Sequence, residues 1–271
     1  MKKSIPAGIL SLFFLVSCSV VPMTGRKQFV AIPASQMIAL SNDSYSQVLA
    51  ESELSSNRTY VEMVQSVGKR LTVAVEAYLK ANGLGNAIDG YNWQYNVIVS
   101  DQLNAWCMPG GQIAFYEGIM PVCRDEAGVA VVMGHEIAHA VAKHGNERLS
   151  QQLAIQLGGI ALSEALKTEP QKTRELAMLA FGVGAQVGVL LPYSRTHETE
   201  ADELGLYFMA MAGYNPEVAP EFWQRMDQGA ENRPPEFLST HPHPHNRIHH
   251  LNQIMPRAKE YYNTHKIAGT N

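Results

Sequence analysis

The chain has 271 residues, of which 46% are hydrophobic, and 21 basic and 25 acidic side chains give a net charge of -4. This length is sufficient for one or at most two domains with a sizeable buried core. The chain lacks the basic excess typical of nucleic-acid-binding proteins, so we expect no nucleic-acid partner.

The N-terminus has the pattern of a bacterial lipoprotein signal. A positively charged start precedes an apolar core at residues 9–16, which is too short to span a bilayer. Residues 15–18, LVSC, overlap the end of this core and fit the lipobox, in which the cysteine is lipidated. We therefore expect residues 1–17 to be a signal peptide and residues 18–271 a single domain anchored through Cys18. A plain secretory peptide or an uncleaved anchor is the alternative.

The residue after the lipobox indicates a destination. Ser19, rather than aspartate, follows Cys18 and resembles the outer-membrane sorting pattern of Gram-negative lipoproteins. We therefore expect the protein to be lipid-anchored on the periplasmic side of the outer membrane.

Two segments precede the central motif of the chain. Residues 45–83 carry apolar side chains at helical spacing and predict a helical region. Residues 93–116 predict strands around a Pro-Gly-Gly turn. Cys107 and Cys123 flank the second of these strands, and either a disulfide or two buried free thiols fit the sequence.

The motif HEIAH at residues 135–139 has the residue types and spacing of a zinc hydrolase site. On a helix, His135 and His139 share a face, so both imidazoles reach one ion at about 2.0–2.1 Å. Glu136 is then next to the open coordination position, where a carboxylate takes a proton from an activated water. Residues 125–144 predict one largely buried helix. The alternative is a pair of core histidines without a ligand role.

A zinc site needs a third protein ligand, and a second helical segment supplies candidates. Glu198 and Asp202 are four residues apart and share a helix face. Glu198 is the predicted ligand, and Asp202 is predicted to accept the remaining N–H of a ligating histidine. His197 is a rival ligand, and Glu200 points away from this face. A solvated acidic helix face is the alternative interpretation.

Residues 153–191 are apolar and rich in alanine and glycine. A charged residue in the first half and the short second half argue against membrane-spanning helices, which need roughly twenty apolar residues. We expect a pair of helices that packs over the core or leans on a lipid surface.

The chain resembles the membrane-associated zinc metallopeptidases that include CAAX prenyl proteases, the heat-shock protease HtpX and lipoprotein or chaperone-like proteases such as BepA and LoiP. The resemblance rests on five blocks in the same order: Asn104-Ala105 with Pro109-Gly110-Gly111-Gln112-Ile113, the HEIAH motif, SRTHETEAD at residues 194–202, Ala212-Gly213-Tyr214-Asn215-Pro216, and Ser239-Thr240-His241-Pro242 with Arg247-Ile248. It implies an α+β, mostly helical zincin-like (gluzincin) domain with a small sheet beside the active-site helix.

The resemblance also implies roles for individual residues. Glu198 matches the third zinc ligand of the family. His241 and Arg247 match residues that lie over the zinc, where they stabilise the oxyanion or cover the metal in a resting state. Asn104 and Ala105 resemble the edge strand that pairs with the substrate backbone.

These observations predict a zinc-dependent endopeptidase with one Zn²⁺ per chain. By resemblance, its substrates are misfolded or stalled envelope proteins at the outer membrane. The competing prediction is a latent zinc-bound lipoprotein that binds outer-membrane proteins as a chaperone without cleaving them.

Overall fold

A computed structural model describes residues 18–228, 241 and 246–268. The predicted signal peptide lies outside the described residues. The part described is mostly helical with two small sheets, so the expected α+β, mostly helical class is confirmed. Its α-helices are α1 (Ala34–Glu51), α2 (Arg58–Ala81), α3 (Met120–Cys123), α4 (Glu126–Val141), α5 (His144–Ala165), α6 (Gln171–Ala185), α7 (Leu191–Met211), α8 (Val218–Gln228) and α9 (Arg247–Ala268).

The strands form two separate sheets. β1 (Cys18–Val20) and β2 (Lys27–Phe29) form an antiparallel hairpin at the start of the described chain. The second sheet contains β3 (Gln94–Ile98), β4 (Ala105–Met108) and β5 (Gln112–Tyr116) in the order β3-β5-β4. β3 is parallel to β5, whereas β4 is antiparallel to β5. β4 therefore lies at an edge of this sheet.

Helix α4 is buried on nearly every side and carries the HEIAH motif. Asp125 caps its N-terminus by accepting a hydrogen bond from the backbone N–H of Gly128. Its apolar residues pack with the stripe of α2 that the helical spacing predicted, which is buried at Val64, Val67, Leu71, Val75 and Leu79. The sequence therefore placed this helix correctly in the core.

Two glycines allow α4 and α7 to approach closely. A Cβ on Gly134 would lie 2.7 Å from the carbonyl oxygen of Gly205, and a Cβ on Gly205 would lie 2.7 Å from the backbone nitrogen of His135. No other residue type fits at this crossing without moving a backbone. The contact brings the predicted ligands of α7 beside those of α4.

Helices α5 and α6 form the expected pair across residues 153–191. They pack through Gly158 and Gly159, which face the ring of Phe181. Among the described residues, no helix combines the length and the apolar character needed to cross a bilayer.

Cys107 and Cys123 are free thiols, so the disulfide that the sequence left open does not form between them. Cys123 is fully buried, and burial raises the pKa of its thiol. The structure therefore agrees with the alternative of two free thiols.

Candidate metal centre

His135 and His139 project from the same face of α4, as the i and i+4 spacing predicts. Their Nε2 atoms are 3.0 Å apart, and His135 is buried. Burial alone lowers the pKa of His135, but hydrogen bonds to Asp202 and Glu198 raise it to about 9. Burial holds the pKa of His139 well below its usual value. The two imidazoles differ in electrostatic environment although they face one point.

Helix α7 places Glu198 against both histidines. Its Oε2 lies 3.3 Å from Nε2 of His135, and its Oε1 lies 3.4 Å from Nε2 of His139. Burial opposes ionisation of Glu198, but the neighbouring histidines hold the pKa of this carboxyl well below its usual value. An ionised carboxylate in a buried pocket favours a cation between these groups.

One turn further along α7, Asp202 accepts a hydrogen bond from Nδ1 of His135 at 3.0 Å. Because Asp202 holds the proton on Nδ1, the neutral ring of His135 carries its lone pair on Nε2, which faces the cluster. The structure therefore brings Asp202 to the position that the sequence predicts for a residue that orients a ligand.

His241 closes the fourth side of the cluster. Its Nδ1 lies 3.4 Å from Nε2 of His135 and 3.1 Å from Oε1 of Glu198. One ligand atom from each of His135, His139, Glu198 and His241 lies within 4.8 Å of the others. The resemblance implies either an oxyanion role or a resting state that covers the metal for His241, and the choice between them stays a prediction.

The geometry of the four groups fits a tetrahedral metal ion. Bonds of about 2.0–2.1 Å in a tetrahedron place neighbouring ligand atoms about 3.3–3.4 Å apart. The separations given above run from 3.0 to 3.4 Å. Two imidazole nitrogens 3.0 Å apart share either a proton or a cation, and the raised pKa of His135 shows that this position favours positive charge. Nitrogen and carboxylate donors in this number suit Zn²⁺.

Arg247 occupies a different place from the one that the resemblance implies. Its Nε donates to Oδ2 of Asp202 at 2.6 Å, and its Nη2 donates to Oε2 of Glu198 at 3.3 Å. The guanidinium carbon lies 3.9 Å above the ring of Trp223, and the side chain is fully buried. Arg247 is thus behind the carboxylates and is not among the residues that line the cleft, and its oxyanion role stays a prediction.

Glu136 lies beside the cluster, and one of its two carboxylate oxygens accepts no hydrogen bond from the described residues. Its Oε1 is buried and has no hydrogen-bond partner among the described residues, and Nε2 of His241 lies 3.6 Å away. Burial raises the pKa of Glu136, although the nearby His241 and His135 and a backbone hydrogen bond from Cys107 partly oppose this effect. This carboxylate is therefore well placed to accept a proton in the cleft.

A cleft of about 710 Å³ opens over the cluster. Asn104 and Ala105, the predicted substrate-binding residues, line it together with Glu136, His139 and His241. β4, which begins at Ala105, is an edge strand beside the candidate metal centre, and its pairing with a substrate stays a prediction.

The hydrogen-bond register shows which backbone groups of β4 face the cleft. The carbonyls of Asn104 and Met108 accept hydrogen bonds from β5 or its turn. In an antiparallel pair this direction alternates along the strand, so the backbone groups of Ala105 and Cys107 point away from β5. The Cys107 hydrogen bond to Glu136 agrees with this register.

One buried histidine beside the cluster, His144, has no role in the sequence-based prediction. Nδ1 of His144 lies 2.9 Å from Nδ1 of His139. Nε2 of His144 lies 2.9 Å from Oε2 of Glu200. The rival ligand His197 stacks on His144 with ring centroids 4.3 Å apart and bonds Glu147, so it is not part of the four-residue cluster.

Known proteins match most of the chain. The model of peptidase family M48 matches residues 62–255. The chain belongs to peptidase family M48. The family match and the metalloendopeptidases among its relatives confirm the expectation of a metalloendopeptidase.

The relatives of this M48 chain come from mitochondria and from bacteria. The mitochondrial metalloendopeptidase OMA1 of Schizosaccharomyces pombe is 29% identical over 91% of this chain and 69% of its own length. The human metalloendopeptidase OMA1 is 29% identical over 91% of this chain and 47% of its own length. The beta-barrel assembly-enhancing protease of Escherichia coli is 24% identical over 90% of this chain and 49% of its own length. The chain thus spans about half the length of the last two.

Proposed function

We propose that the chain is a zinc-dependent endopeptidase that cleaves misfolded or stalled envelope proteins. The observation that supports it best is the convergence of His135, His139 and Glu198 beside Glu136, whose Oε1 has no hydrogen-bond partner among the described residues. In this proposal the three converging residues hold one Zn²⁺ per chain, and Asp202 orients His135.

When bound, zinc supplies a Lewis acid that polarises the scissile carbonyl and acidifies a water molecule. Glu136 then accepts the proton of the attacking water and passes it to the leaving amine. Burial suits Glu136 to this role because it raises the pKa and makes the carboxylate a better base.

The substrate backbone pairs with the edge of β4. Ala105 and Cys107 direct backbone groups away from β5, where their N–H groups bond the side chains of Asn104 and Glu136. In this proposal an extended segment adds a strand at this edge through their carbonyls, and its N–H groups donate to them. Such pairing uses main-chain atoms and accepts many side chains. It therefore suits unfolded polypeptides as substrates.

The proposed location is the periplasmic side of the outer membrane, with a lipid anchor on Cys18. Its support is the lipobox at residues 15–18 and the similarity to the beta-barrel assembly-enhancing protease of Escherichia coli. The OMA1 relatives are named as mitochondrial, so endopeptidase chemistry alone does not determine the compartment.

The proposed chemistry is tested by Glu136→Gln. The amide cannot accept the proton, so we expect this variant to retain zinc and fold but lose cleavage of unfolded casein. Glu203→Gln is the matched control, because Glu203 lies on α7 and bonds Tyr207. Hydrolysis of casein by Glu136→Gln at the wild-type rate would contradict the mechanism.

A second candidate function is a latent zinc-bound chaperone, and the position of His241 favours latency. Its Nδ1 takes the fourth side of the cluster, where a substrate carbonyl or water has to bind. If His241 is a gate, His241→Ala raises casein cleavage with zinc retained. A fall in rate instead assigns it to the oxyanion, and no change in rate argues against both roles.

The two functions also differ in cells. A chaperone with no need for hydrolysis rescues the envelope defects of a deletion strain when it carries Glu136→Gln. An endopeptidase does not. We expect no rescue by this variant and full rescue by Glu203→Gln.

A further inference from the structure

His144 lies between the candidate ligand His139 and a buried carboxylate. Its two ring nitrogens are 2.9 Å from Nδ1 of His139 and 2.9 Å from Oε2 of Glu200. His144 is only 3% exposed, and its ring stacks on His197 with an interplanar angle of 12°. The orientation of the ring is therefore fixed on both edges and on one face.

The chemistry of the partners sets the direction of both hydrogen bonds. An ionised carboxylate only accepts, so Nε2–H of His144 donates to Glu200. Nδ1 of neutral His144 then carries a lone pair and accepts the N–H on Nδ1 of His139. This leaves the lone pair of His139 on Nε2, the atom that faces His135 at 3.0 Å. That tautomer is the one a metal ligand at Nε2 requires.

The two candidate histidine ligands are thus oriented in related ways. Asp202 accepts directly from Nδ1 of His135, whereas Glu200 acts on His139 through an intervening imidazole. We propose that His144 is a positioning residue that fixes the tautomer and orientation of His139, with Glu200 as its anchor. This inference rests on the proposed zinc site.

The anchor itself is held by the N-terminal hairpin. Arg26 lies between β1 and β2, and its Nε donates to Oε2 of Glu200 at 2.9 Å. Its Nη1 and Nη2 donate to the two oxygens of Glu147 at 3.2 and 2.7 Å. Thr24 adds a hydrogen bond from its hydroxyl to Oε1 of Glu200. The segment that follows Cys18 is therefore connected to His139 by a continuous series of polar contacts.

The test measures zinc affinity by competition with a chromophoric chelator, independently of activity. His144→Ala and His144→Gln remove the acceptor for His139, so we expect each to weaken zinc binding about 10–100-fold. In His144→Asn the side-chain oxygen takes the place of Nδ1, so affinity stays within about 3-fold of wild type. His197→Asn is the comparison for packing, since His197 stacks on His144 and bonds Glu147 outside the four-residue cluster, and we expect a smaller loss of affinity than in His144→Gln.

The visible spectrum of the Co²⁺-substituted protein provides a second readout. We expect the bands to change in His144→Gln and to persist in His144→Asn, because only the latter retains the orientation of His139. If His144→Ala does not fold, the comparison of His144→Asn with His144→Gln tests the role of His144. Circular dichroism checks that both variants fold.

Three outcomes would overturn the proposal. The first is wild-type zinc affinity in His144→Gln, and the second is an equal loss in His144→Asn and His144→Gln. The third is an equal loss in His197→Asn, which would indicate packing of the cluster. His135→Ala separates this inference from the proposed function. If neither wild type nor His135→Ala binds zinc, the zinc site itself is wrong; if wild type alone binds it, only the role of His144 is at issue.

Discussion

Arg247→Ala tests the position that the structure gives to this arginine. The guanidinium is fully buried, donates to Asp202 and Glu198, and stacks on Trp223. Its removal leaves two buried carboxylates without their shared cation. We therefore expect loss of stability and of metal binding, and not a loss of turnover alone.

The expected loss of stability follows from the burial of Arg247 and its two carboxylate partners, Asp202 and Glu198. Removal of one partner from a buried ion pair costs about 3–5 kcal/mol. For a domain of this size, each kcal/mol shifts the melting temperature by roughly 2–4 °C, so we expect a fall of roughly 6–20 °C in the metal-free protein. Because Glu198 loses a partner that orients it, we also expect about 10–100-fold weaker zinc binding.

The assay is thermal unfolding followed by circular dichroism in the presence of a chelator, with zinc affinity measured separately. Arg70→Ala is the matched control, because Arg70 lies 4.1 Å above the ring of Tyr214 and pairs with Glu126 at 3.3 Å, but is about half exposed. Its loss should cost about 1 kcal/mol or less for the ion pair. If Arg247→Ala keeps wild-type stability and zinc affinity but loses turnover, the arginine acts on the substrate and the burial argument is wrong.

Two further predictions concern the anchor and acid stability. Cys18→Ala should abolish incorporation of labelled palmitate and release a soluble protein; incorporation that persists excludes Cys18 as the lipid site. Burial alone raises the pKa of Glu147, but its bonds with His197 and Arg26 lower it to about 2 from 4.5. This stabilisation is present above pH 4.5 and lost as the pH falls towards 2. In chelator, the stability difference between wild type and Glu147→Gln should therefore shrink over this range, and a constant difference would refute the assignment.

The local part of the site was predictable from sequence. His135 and His139 face one point because a helix repeats every 3.6 residues, and the same periodicity places Glu198 and Asp202 on one face of α7. The burial of α4 followed from its apolar composition. These features depend on positions within one helix, where the spacing along the chain determines the geometry.

The role of His144 was hidden because it depends on a break in the helix. The sequence predicted one helix over residues 125–144, but α4 ends at Val141 and Lys143 adopts a positive φ of 59°. On a continuous helix, a residue five positions after His139 would point about 140° away from it. The turn at Lys143 instead redirects His144 towards His139, and no pattern in the sequence indicated that turn.

The long-range contacts of Glu200 and Arg247 were hidden for a related reason. The sequence correctly indicated that Glu200 leaves the Glu198 face, but it could not show that this direction leads to His144 and Arg26. Arg247 begins α9, which packs on α7. Long-range contacts of this kind are fixed by how helices pack together, and spacing along the chain does not encode them.

The two residues that the resemblance pairs over the metal lie in different surroundings in this structure. Arg247 is buried and held on three sides by Asp202, Glu198 and Trp223, whereas His241, six residues earlier, is 14% exposed at the cleft. These three contacts of Arg247 do not involve His241, so we expect them to persist when His241 is displaced from the cluster. A gate that opens in this way exposes the fourth position while Glu198 and Asp202 stay in place. Loss of His241 should consequently spare zinc binding, and loss of Arg247 should not.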